Sequence, residues 1–197
     1  MTLHKVIHGA GNRYTTLLNI FAFCTVILPD YVSLNGKLLT GLMSNMKSIL
    51  SLAGGFAGAC ALTALHEILR KKDADAPRMD LLGMNALAVL IRKAGGEPPE
   101  GNKLFGITMA GDVASNAFYY SIAGKGDPDK VWSRGLLLGL AAGAGAVLLP
   151  KPLGLNEQPS NRTVKTKLMT VALYTTGGLV AAAAISLLQH RQKKAGL

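Results

Sequence analysis

Four stretches of this chain, Ile49–Leu69, Leu104–Gly124, Gly135–Leu149 and Leu168–Leu188, are apolar and nearly free of charge. A helix needs about 20 such residues to cross ~30 Å of hydrocarbon at ~1.5 Å per residue. Three of the runs have that length, and Gly135–Leu149 reaches it with its flanks. Within lipid, only a helix or a closed barrel satisfies its own backbone. The runs therefore predict an all-α, polytopic helical membrane bundle with spans at about 49–69, 104–124, 134–150 and 168–188.

Glycine placement supports the same class. Most of the 23 glycines lie inside the apolar runs, where in water they would weaken a helix. In lipid they let helix backbones approach closely. Charged residues are 16% of the chain, below the ~25% of ordinary soluble domains. The net charge of +10 is spread over short segments between the runs, not gathered on one face. That excludes a nucleic-acid partner and suits anionic headgroups.

The organisation follows from these runs. Residues 1–45 read either as an extension upstream of the bundle or as a weak extra span. Thr15–Leu28 is apolar but short and ends at Pro29-Asp30, so a fifth, N-terminal crossing over 15–34 is the second option. Met46-Lys47-Ser48 leads directly into the first long run, which favours the extension. Residues 46–190 form the helical bundle and 191–197 a basic tail.

Between the first two runs, Met79, Leu82, Ala86, Leu87, Leu90 and Ile91 recur at three and four. They predict an interfacial amphipathic helix over 79–94. Asp80, Asn85, Arg92 and Lys93 stay off its apolar stripe. The expected placement is along the membrane surface, with a lid under the bundle as the second choice. Gly95-Gly96 and Pro98-Pro99 end it. Basic residues concentrate in 70–103 (Arg70, Lys71, Lys72, Arg78, Arg92, Lys93, Lys103) and in 151–167 (Lys151, Arg162, Lys165, Lys167). The positive-inside bias then puts both segments in the cytoplasm and the C-terminus outside.

Few residues can carry chemistry. Asp112 lies ~10 Å into the second run, where an ionised carboxylate costs roughly 2.5–3.5 kcal/mol on insertion scales. Thr108, Asp112, Ser115 or Asn116, and Tyr119 form one helical stripe, and Gly106, Ala110, Ala114 and Ala117 a small-residue stripe on roughly the other side. Equal depth in the fourth run predicts a hydrogen bond from Tyr174 or a nearby threonine to Asp112, direct or through water. His66 and Glu67 end the first run, with Glu67 in reach of Arg70 or Lys71. They read as an interfacial ion pair, or as a proton mouth leading to Asp112. Gly54 and Gly58 make one GxxxG packing face; Gly135, Gly139 and Gly143 make a longer ladder.

No nucleophilic triad, HExxH or Cys/His metal spacing occurs. The reading is accordingly of no enzyme, no catalytic residues, no metal and no cofactor. The expected role is that of a multi-pass inner-membrane scaffold or accessory subunit packed through Gly/Ala helix seams. Its partners are the lipid bilayer and either further copies of itself or other membrane subunits. The alternative is a small proton- or ion-coupled transporter or channel using Asp112, with Asn116, Tyr119, Tyr174, His66 and Glu67 as the candidate polar site.

Overall fold

Six α-helical segments account for nearly all regular structure in residues 39–194, the part that the computed structural model describes. They are α1 (Leu39–Lys72), α2 (Met79–Lys93), α3 (Gly101–Ser121), α4 (Val131–Leu148), the single-turn α5 (Gln158–Asn161) and α6 (Val164–Lys194). Short 3-10 turns at Ile122–Gly124 and Pro128–Lys130 join α3 to α4. From Leu42 onward the described residues make one compact unit.

Three of these helices are long and apolar enough to cross a membrane, at Met46–Lys72, Pro128–Leu148 and Val164–Gln192. The sequence predicts a fourth at 104–124. A helix does form there, and at 21 residues it is long enough. Asn102, Lys103, Asp112, Ser115 and Asn116 dilute its apolar content, however, and it is not among the three. Residues 39–45, assigned above to the upstream extension, continue the first helix without a break. The proposed span over 15–34 lies outside the described residues.

Glycine decides how the long helices meet. α6 is the central element, gripped from two sides. A Cβ added to Gly135 would stand 2.6 Å from the Gly178 carbonyl oxygen; on Gly139 and Gly143 it would stand 2.6 Å and 2.7 Å from the Cα atoms of Thr175 and Val171. The three-glycine ladder is therefore the seam between α4 and α6 of one chain. α1 uses the same device, with Gly58 against the Gly177 carbonyl oxygen and Ala181, and Gly54 against Ile185. Gly55 faces Ala117 and Ser121 of α3. Between the seams, Leu62, Tyr120, Leu173, Tyr174 and Ala181 fill the core. With so little side-chain volume at the crossings, van der Waals contact between backbones becomes the main attraction.

Loop chemistry closes the two ends. α2 stops in a Schellman motif: Gly95, at φ +82°, follows the last turn. The Gly96 N–H donates to the Ile91 carbonyl and the Gly95 N–H to that of Arg92. The basic segments 70–103 and 151–167 meet at one end of the bundle. Lys165 Nζ lies 2.6 Å from Asp73 Oδ2, and the Arg78 N–H donates to the Pro159 carbonyl at 2.9 Å. Thr166 Oγ1 donates to the Asp75 carbonyl at 2.9 Å. At the opposite end, Arg134 Nε donates to the Ala123 carbonyl at 2.9 Å.

Candidate functional site

The two polar features singled out in the sequence come together in one place. A cavity of ≈ 30 Å³ lies between α1, α2 and α3. Thr63, His66, Glu67 and Arg70 line it from α1, Asp80 and Gly83 from α2, and Thr108, Met109 and Asp112 from α3. Helical spacing explains the set: 63, 66, 67 and 70 lie on one face of α1, and 108 and 112 one turn apart on α3. A Cβ on Gly83 would touch the Thr108 methyl at 2.7 Å, so glycine lets α2 close the cavity.

An ion network forms its wall. Arg70 Nη2 donates to Glu67 Oε2 at 2.6 Å and Nη1 to Asp80 Oδ2 at 3.2 Å. Arg78 grips the same carboxylate from its other side, Nε to Oδ1 at 3.0 Å and Nη2 to Oδ2 at 2.8 Å. Glu67 and Asp80 are only 5% and 8% exposed. Their charges can be buried because each faces a guanidinium.

Although it lies off the apolar stripe of α2, Asp80 is buried against Arg70 and Arg78. The helix packs on α3 and buries Leu82 and Ala88. Leu81 and Leu90 remain exposed on its other side. Burial alone pushes the Asp80 carboxyl up, but the Arg78 hydrogen bonds and the charges of Arg78 and Arg70 outweigh it and hold the group below the usual carboxylate range. The same pairing raises the Arg78 guanidinium.

The sign of the pH effect follows. A carboxyl lowered in the folded state stabilises the fold above its unfolded pKa of about 3.9 and loses that contribution as pH falls through the folded value. Thermal unfolding in detergent is therefore expected to show Asp80 contributing fully at pH 7 and at pH 5. The contribution should fade only below about pH 4, and an Asp80→Asn variant should lack that acid step.

The other candidates are dispersed. Asn116 Nδ2 donates to Asp112 Oδ1 at 3.1 Å and to the Asp112 carbonyl at 2.9 Å. Tyr119 OH donates to the Leu138 carbonyl on α4 at 3.1 Å, away from Asp112. Tyr174 sets its ring edge-on to His66, with centroids 5.7 Å apart. The direct bond expected from Tyr174 or a threonine to Asp112 is absent. Asn116, one turn away on the same helix, reaches the carboxylate first.

Sequence reasoning missed Asp80, Arg78 and the part played by Tyr120, whose buried OH donates to the Tyr174 carbonyl at 2.8 Å. The Arg78–Asp80 spacing at a helix start was the one available signal. Four buried polar atoms of cavity residues lack a partner: Thr63 Oγ1, His66 Nε2, Arg70 Nε and Thr108 Oγ1. Among the described residues, no group of three or more His, Cys, Asp or Glu side chains could hold a metal ion. Comparison with protein-family models, with curated proteins and with solved structures finds no match to this chain.

Proposed function

We propose that this is a multi-pass inner-membrane protein with four crossings that acts as a non-enzymatic scaffold or accessory subunit. In this reading α3 is the fourth crossing. Its support is that α3 runs alongside α1 from the cavity to Ser121, its polar residues turned partly into the bundle. The basic segments 70–103 and 151–167, which share one end, face the cytoplasm.

One observation carries the accessory role. The Gly seams of α1, α4 and α6 are consumed inside the chain, whereas α3 keeps an open small-residue face. Ala110, Gly111 and Ala114 are exposed, and nothing lies within 4 Å of a Cβ added to Gly106 or Gly111. In lipid, such a face seats another helix closely, from a second copy or another subunit. Gly111→Leu should leave the monomer folded, because the chain itself offers no clash, and should abolish assembly measured by native mass spectrometry from nanodiscs. Assembly that survives the leucine ends this reading.

A second reading, proton- or ion-coupled transport through Asp112, is favoured by the cavity. There Asp112 joins His66 and Glu67, as a proton mouth leading to a membrane carboxylate requires. Its measure is pH-driven flux in liposomes, which Asp112→Asn should eliminate.

A further inference from the structure

We infer that the cavity between α1, α2 and α3 is a proton-loading site, in which one exchangeable proton is shared between Asp112 and His66 across a bound water. The inference deepens the transport reading and rests on it only for what the proton is used for.

Space and unmet hydrogen bonding come first. The ≈ 30 Å³ volume exceeds the ~10–15 Å³ that one water requires. Thr63 and Thr108 are 4% and 7% exposed, and their hydroxyl oxygens, like His66 Nε2 and Arg70 Nε, have no partner. Leaving such groups dry forfeits the hydrogen bonds they make in water and gives nothing in return. A buried water makes about three hydrogen bonds, so this site is built to hold one. A water that accepts from the Arg70 Nε–H keeps both hydrogens for acceptors. His66 Nε2 and the Asp112 carboxylate are the acceptors that line the same space.

Charge then selects the ligand. Glu67 and Asp80 are balanced by Arg70 and Arg78. Among the described residues, Asp112 has the neutral Asn116 amide on its carboxylate and no cation. Facing it from α6 is the uncharged phenol of Tyr174, edge-on to His66, and from α3 that of Tyr120, already donating to the Tyr174 carbonyl. One uncompensated carboxylate remains in an apolar bundle. A proton neutralises it within that small volume, and among the described residues no His, Cys, Asp and Glu group supplies the ligand set that a multivalent ion needs.

The test is a pH titration of the full chain in nanodiscs, followed by the infrared carbonyl stretch of protonated carboxylic acids. The wild type should show a band lost as pH rises, and Asp112→Asn should lack that band while keeping its helical circular dichroism. His66→Gln, which keeps hydrogen bonding but cannot take the proton, removes one of the two groups that share it, so it should move the midpoint down while strengthening the Asp112 band at low pH. The site is overturned if Asp112→Asn leaves every band in place, or if His66→Gln leaves the midpoint unmoved. It is also overturned if sodium, at constant pH, displaces the band as protons do. A titrating site with no pH-driven flux in liposomes overturns the transport reading instead, so the two failures are distinct.

Discussion

Asp80→Ala should be among the most damaging single substitutions in this protein, lowering stability by about 3 kcal/mol. The carboxylate accepts from two guanidinium groups, and its removal leaves both without it. Arg70, whose side chain is 13% exposed, keeps Glu67 at 2.6 Å, which places the loss at the lower end of the ~3–5 kcal/mol typical for breaking a buried pair. Arg78 is the contrasting case. Its side chain is 40% exposed, so solvent screens part of the pair and Arg70 still holds Asp80; Arg78→Ala should therefore cost less than Asp80→Ala. Thermal unfolding in detergent micelles, read by helical circular dichroism, compares the two variants directly. Equal losses from both would mean that Asp80 is not the hub of the network.

Gly139→Leu should prevent α4 from docking on α6. The first atom of any side chain at 139 would lie 2.6 Å from the Thr175 Cα and 2.8 Å from the Tyr174 carbonyl oxygen. Both are backbone atoms, and neither can swing aside as a side-chain tip can. Relief requires the two helices to separate along the entire ladder, breaking the contacts at Gly135 and Gly143 as well. Even Gly139→Ala should cost about 1–3 kcal/mol, the usual range for overpacking, and leucine more. Gly145 on the same helix supplies the control. Its added Cβ would meet only the Leu149 Cδ1 tip at 3.4 Å, so Gly145→Ala should stabilise by about 0.5–1 kcal/mol through helix propensity. Cysteine cross-linking between α4 and α6, alongside thermal unfolding, reads the docking. A Gly139→Leu protein with the α4–α6 contact intact would show that the ladder is incidental.

The difference between those two glycines shows what local pattern conveys. The spacing of Gly135, Gly139 and Gly143 identified a helix contact, because three small residues in register on one face have one physical use in lipid. It could not identify the opposing surface, and the same motif would have served a dimer. Gly111 makes the converse point. It belongs to an equally suggestive run of small residues on α3, yet its face is open.

Asp112 and Asp80 divide in the same way. A carboxylate deep in an apolar run marks itself by its desolvation cost, so Asp112 stood out at once. Its partner did not, because equal depth in two helices says nothing about their rotation, and Asn116 was closer. Asp80 was hidden because a charge off the apolar stripe of a short helix reads as solvated. The approach of Arg70, ten residues away, together with the two hydrogen bonds from Arg78, allows that charge to be buried.

The amino-acid order alone determined that this chain is helical, where its long helices run, and that several are apolar enough for a bilayer. Those properties depend on side chains within a turn or two of each other and on hydrocarbon's intolerance of unpaired backbone. The tertiary structure decided the rest: α6 as the shared partner of α1 and α4, α2 packed on α3, and His66, Glu67, Asp80 and Asp112 around one cavity. Those outcomes depend on how helices rotate and cross, which is fixed by contacts between residues distant in the chain, such as Gly54 with Ile185 and Thr166 with Asp75.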